Sequence, residues 1–207
     1  MRINELLNED LSPRWSFVWE IPEFKSCIGV QQNKKWHNES VDEHIRMVSD
    51  TMYDIVTGKE PYKYIRFIDD DHKKCLMYAA LCHDLGKPRT TFFNAEDGQW
   101  HSDNHGVEGE RITRNLFCDE PDIVLLEKVC WMTRWHMEFS HLIKGDDIIE
   151  NRLENLLTGR VSVFDMGLLY YCDEIGCVNA RINRREKAKE TLELITSVVS
   201  EKYGVCF

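Results

Sequence analysis

Long apolar runs are missing from this chain, as are C-x-x-C pairs, repeats, low-complexity tracts and Gly/Ser-rich linkers. No stretch approaches the roughly 18 apolar residues of a membrane span, and charges break up the N-terminal MRINELLNEDL, so no signal-peptide core stands there. The expectation is a cytoplasmic protein with no membrane partner. The eight cysteines lack paired spacing and the chain is not a small secreted scaffold, so reduced thiols are expected. Basic residues are also in deficit. Twenty-six against 36 acidic residues leave a net charge of -10, which opposes an extended nucleic-acid surface. A small phosphorylated substrate, neutralised locally by a metal, is compatible with that charge; an acidic surface that only aids solubility accounts for it equally.

Only five prolines occur, mainly in the N-terminal quarter and at Pro88 and Pro121. Residues 1–207 read as a single domain, with enough apolar content for one core. Strictly alternating stretches with hairpin signals are scarce, and apolar residues recur at helical spacing, so an all-α bundle is expected. Ser40 and Glu43 form a capping-box pattern that starts a helix running to about Val56, before Gly58. A second helix runs from near Asp71 and stops at Gly86, with Pro88 preventing its return. Further helices are expected from His105 to Cys118, Pro121 to about His136, Asp146 to Leu157, Ser162 to about Asn179, and Arg184 to Glu201. Residues 11–37 and 88–104 read as irregular segments of the kind that often line sites.

Chemistry-bearing residues stand out where polarity interrupts an apolar face. His44 shares a helical face with Val41 and Val48 and points inward, either as a ligand or as a satisfied core histidine. His83 and Asp84 end a helix whose last turns are apolar. They converge on one ion only if that terminus bends, as Gly86 and Pro88 allow; otherwise Asp84 caps the next turn and His83 packs alone. Asp173 lies in VSVFDMGLLYYCDEIGC with no basic residue within a helical turn, so its carboxylate needs a cation or several donors. Glu174 reads as a solvated or partner-facing edge. His105 and His136 extend the set, whereas His37, His101 and His141 have the context of surface or supporting residues.

The order His44, His83-Asp84, Asp173 resembles the H...HD...D signature of the HD superfamily. The segments IPEFKSCIGVQQNKKWHNESVDEHIRMV and ALCHDLGKPRTTFFNAEDGQWHSDNHGVEG are similar to the HD region of some bacterial CCA-adding tRNA nucleotidyltransferases, including a histidine with glycine four residues on, here His105 and Gly109. The likeness covers about residues 20–181. No Gly-Gly and Asp-x-Asp nucleotidyltransferase head precedes it, so the expectation is the hydrolase portion alone, without tRNA tailing.

That resemblance implies an HD-type helical bundle holding one or two divalent ions and hydrolysing phosphate esters through a metal-activated water. His44, His83, Asp84 and Asp173 would hold one ion. His105 and His136 resemble the extra ligands of dinuclear members, with His136 alternatively on the substrate phosphate. The metal is left open among Mn, Fe, Co, Ni, Zn and Mg. Lys87 is placed to neutralise the transferring phosphoryl group, beside Asp84 in the catalytic role; the alternative is a solvated turn lysine. Arg89, Arg134, Arg181 and Arg184 are further phosphate-binding candidates. The expected substrate is a small nucleotide phosphoester, a monophosphate or a cyclic phosphate. The alternatives are a deoxynucleoside triphosphohydrolase and a non-catalytic nucleotide-binding domain, and the oligomeric state is open.

Overall fold

Between residues 11 and 37 apolar periodicity is weak, yet single helical turns still close locally in the computed structural model. α1 (Trp15–Val18) is followed by α2 (Pro22–Lys25), where Pro22 presets φ for the first turn. The segment expected to be irregular is therefore partly helical. The structure describes residues 1–59, 68–144, 147–148, 150–157, 161–178 and 182–203.

Ser40 and Glu43 form the expected capping box at the start of α3 (Val41–Val56), which buries Val41, His44, Ile45, Val48, Met52 and Ile55 along one face. Asp69 caps α4 (Asp70–Cys82), accepting a hydrogen bond from the His72 amide. From Cys75 to Cys82 every α4 residue is buried, so this part of the helix is interior on all sides. Cys82 ends it, His83 being its cap, and one further turn, α5 (Lys87–Thr90), follows Gly86.

Residues 88–104 hold a hairpin, contrary to the sequence expectation: β1 (Thr91–Asn94) pairs antiparallel with β2 (Gln99–Ser102). Its adjacent Phe92 and Phe93 are both exposed, so no one-face burial pattern marked it. α6 (His105–Leu116) and α7 (Ile123–Trp135) pack together, the latter capped by Asp122. A short 3-10 turn covers His136–His141, and Ile143–Lys144 (β3) pairs with Asp147–Ile148 (β4). α8 (Glu150–Leu157), α9 (Val163–Ile175) and α10 (Ile182–Tyr203) complete the bundle. The expected starts at Asp146 and end at Asn179 lie outside the described residues.

The fold is all-α apart from these small hairpins. α3 and α7 pack on α4, α3 and α10 pack on α9, and α4 meets α9. α9 is buried from Val163 through Cys172, a second helix enclosed on all sides over most of its length. None of the seven described cysteines is in a disulfide. Among the described residues, no helix is long and apolar enough to cross a membrane.

Candidate metal centre

Helix ends meet on one side of this core, and each brings a polar residue. His44 comes from the first turn of α3, His83 and Asp84 from just past α4, Asp173 from the last turn of α9, His105 from the start of α6 and His136 from the end of α7. Backbone contact sets how closely these ends approach. A methyl group on Gly86 would sit 1.9 Å from the His105 carbonyl oxygen, and one on Gly106 2.4 Å from that of Arg134. Only glycine lets the turn after Asp84 lie against α6, and α6 against the end of α7.

Carbonyls near those ends then orient the histidines. His44 Nδ1 donates to Gly176 O at 2.9 Å, His83 Nδ1 to Ala80 O at 2.8 Å, His105 Nδ1 to Ser102 O at 2.7 Å and His136 Nδ1 to Thr133 O at 2.8 Å. A carbonyl oxygen only accepts, so each Nδ1 carries the proton and each neutral ring presents an Nε2 lone pair. All four lone pairs point into one buried space. His44 Nε2 lies 2.8 Å from Asp173 Oδ1, and His105 Nε2 lies 3.1 Å from His136 Nε2. Two acceptors at such distances require a proton or a cation between them.

Asp84 joins two groups of ligand atoms. Its Oδ2 is 3.3 Å from His83 Nε2 and 3.7 Å from His44 Nε2, while its Oδ1 is 3.5 Å from His105 Nε2 and 3.8 Å from His136 Nε2. Lys87 Nζ forms an ion pair with Oδ2 at 2.6 Å. Even so, neither Asp84 oxygen nor His83 Nε2 has a well-formed hydrogen bond, although all three are buried. Unpaired buried acceptors are costly. Two sets, His44 with His83 and Asp173, and Asp84 with His105 and His136, each bring their ligand atoms within 4.8 Å of one another. The donor set of imidazole and carboxylate, orphaned and convergent, fits divalent metal ions.

The electrostatics favour a cation as well. Burial raises Asp84's pKa, but Lys87, His83 and His105 outweigh it and hold the carboxyl well below the usual range. Asp173 is likewise pushed up by burial and held down by its 2.8 Å contact with His44, which in the absence of a cation shares a proton with it. Burial lowers His44 and His105, and lowers His136 to about 3. Of these four histidines only His83 is raised, since Asp84 and Asp173 outweigh its burial. Carboxylates held ionised beside imidazoles mostly held neutral are in the protonation states a metal ligand requires.

The remaining sequence candidates separate by position. Arg89 pairs with Glu108 at 3.2 Å, Arg134 with Glu110 at 2.7 Å, and Arg184 with Glu174 at 2.6 Å, so surface carboxylates hold all three. Arg181 lies outside the described residues. His101 bonds Asp97 on the hairpin, and His141 is exposed. His37 packs edge-on against His44, with ring centres 4.6 Å apart, and its Nδ1 lies 2.8 Å from Glu39 Oε1.

Glu39 and Gln32 were missed. Both are buried beside the site, yet they precede α3 in a polar loop with no periodicity to mark them. Glu39 also accepts hydrogen bonds from the Asn38 and Val178 amides. Burial works against this carboxyl, but the His37 and backbone hydrogen bonds bring its pKa down to about 2.

A family model described as HD domain matches residues 41–162. The chain is similar to bifunctional uridylyltransferase/uridylyl-removing enzymes from three bacteria. It is 25% identical to that of Nitrobacter winogradskyi over 154 residues, 70% of this chain and 15% of the relative. The match to the Ruegeria pomeroyi enzyme is 26% over 140 residues, 64% and 14% of the two chains. That to the Cupriavidus pinatubonensis enzyme is 28% over 131 residues, 61% and 14%. The chain thus spans about one-seventh of the length of these relatives. The CCA-adding enzymes are not among the three.

Proposed function

The chain belongs to the HD domain family, a superfamily of metal-dependent hydrolases, and from that premise we propose that it hydrolyses a small nucleotide phosphoester, a monophosphate or a cyclic phosphate. The observation that carries the reading is the convergence of four Nε2 lone pairs on two ionised carboxylates, with both Asp84 oxygens and His83 Nε2 lacking a hydrogen bond. In this reading His44, His83, Asp84 and Asp173 would hold one divalent ion, and Asp84, His105 and His136 would hold a second. A bound ion supplies a water acidified towards neutral pH and polarises the phosphoryl oxygen.

The chain's own residues do the rest. The carbonyl bonds at Nδ1 keep each imidazole in the tautomer that offers Nε2, so ligand geometry needs no rearrangement. Asp84 serves both ligand groups and anchors Lys87. Lys87 gives an N–H to a phosphoryl oxygen and offsets charge that develops in the transition state. With Arg89 and Arg134 engaged by carboxylates, the cation beside the ligand set among the described residues is Lys87, which suits one phosphoryl group better than a polymer backbone.

A second reading comes from the relatives' name: the uridylyl-removing activity it states makes a uridylyl phosphodiester a natural member of the substrate panel. Metal analysis of the purified chain, joined to a product screen over nucleoside monophosphates, cyclic nucleotides, a uridylyl phosphodiester and deoxynucleoside triphosphates, tests the proposal. Inorganic phosphate or a nucleoside monophosphate is the expected product. Triphosphate release alone would replace it with a triphosphohydrolase, and bound metal without turnover would leave a nucleotide-binding domain.

A further inference from the structure

Lys87 does not reach the ligand set unaided. Its Nζ lies 2.6 Å from Asp84 Oδ2 and 2.6 Å from Gln32 Oε1. Gln32 is 3% exposed and comes from the loop ahead of α3, far from Lys87 in sequence. Its amide is fixed at both ends, because Nε2 donates to the Glu39 carbonyl at 3.3 Å and so leaves Oε1 facing the ammonium. Glu39 is in turn clamped by His37 and by the Asn38 and Val178 amides, which makes the loop a built support.

We propose that Gln32 is a positioning residue for Lys87, a neutral acceptor that holds the ammonium where it meets the phosphoryl group. The inference rests on the role given to Lys87 above. An ammonium has three N–H groups. Gln32 takes one by hydrogen bond and Asp84 draws the ammonium by charge, which leaves an N–H for a substrate oxygen. An apolar residue in place of Gln32 would leave a long side chain free among several rotamers, its only anchor a carboxylate engaged by metal. The acceptor oxygen supplies direction.

A double-mutant cycle tests this in the metal-replete full chain, with bis(p-nitrophenyl) phosphate as the probe. Lys87→Met is expected to lower kcat by about 10²-fold. Gln32→Leu should lower kcat by about 10-fold, with KM within about twofold of the parent and metal content unchanged. Because Gln32 acts through Lys87, the double variant should be no slower than Lys87→Met alone. Losses that multiply would overturn the inference, as would an unchanged kcat in Gln32→Leu. A parent-like kcat in Lys87→Met would instead remove the role given to Lys87, and the inference with it.

Gln32→Glu keeps an acceptor for Lys87 but loses the donor to the Glu39 carbonyl, so it separates positioning from tethering of the loop and serves if Gln32→Leu folds poorly. Its kcat should stay above that of Gln32→Leu, or above about a tenth of the parent's should the leucine variant not fold. A kcat as low as that of Gln32→Leu, or below that tenth, would make Gln32 a structural tether only.

Discussion

Exchanging one Asp84 oxygen for an amide nitrogen removes the charge that both ligand groups share, and its cost can be worked from the geometry. The side chain is 1% exposed and pairs with Lys87 at 2.6 Å. Removing one partner of a fully buried pair costs about 3–5 kcal/mol. In Asp84→Asn the amide oxygen still accepts and Lys87 keeps Gln32 at 2.6 Å, so the metal-free variant should lose only about 1–2 kcal/mol. Metal should separate the two proteins further. At a free metal concentration about 100 times Kd, the parent gains about 2.7 kcal/mol. For a chain of this length that is a rise in Tm of roughly 5–10 °C. Asp84→Asn should lose nearly all of that rise, along with bound metal and hydrolysis. The assay is a pair of thermal melts on metal-stripped protein, without and with added Mn, alongside metal content by mass spectrometry. The same metal-dependent rise in Asp84→Asn as in the parent would refute Asp84 as a ligand. A parent that neither binds metal nor gains stability from it would refute the metal centre.

Other outcomes follow from the same geometry. His105→Ala and His136→Ala should each lower metal content from two ions per chain towards one; a parent that is active with a single ion would move these histidines to substrate binding. Gly86→Ala would put a methyl group 1.9 Å from the His105 carbonyl and 2.6 Å from the Gly109 amide nitrogen. Backbone cannot yield there cheaply, so chemical denaturation should show a loss of about 3 kcal/mol or more, and a loss under about 1 kcal/mol would contradict this packing. His72 tests pH dependence away from the metal centre. Its hydrogen bond to Asp165, at 3.0 Å, raises its pKa despite partial burial. A raised histidine contributes stability that is fully present below its unfolded pKa and is lost as pH rises through the folded value. With the ring 42% exposed, His72→Gln should cost under about 1 kcal/mol near pH 5.5 and nothing near pH 9; a larger cost at the alkaline end would reverse the assignment.

Features that depend on a few consecutive residues were legible before any tertiary structure. The Ser40 and Glu43 capping box set the start of α3, and Gly86 with Pro88 marked the bend that lets His83 and Asp84 face one space. Asp173 announced itself because a carboxylate in an apolar helix must find its compensation elsewhere. That compensation, His44, sits more than a hundred residues away. Sequence alone picked out the polar residues that converge at the candidate site and the helices that carry them, since capping and periodicity act within a turn or two of the chain. Which atoms meet was decided in three dimensions. The division of Asp84's oxygens between two groups of histidines, the Gly176 carbonyl that aims His44, the pairing of Arg89 and Arg134 with Glu108 and Glu110, and the burial of Gln32 and Glu39 all depend on elements remote in sequence. They are settled by how closely backbones approach at Gly86 and Gly106 and by which carbonyls the helix ends leave unpaired, and neither has a local signature.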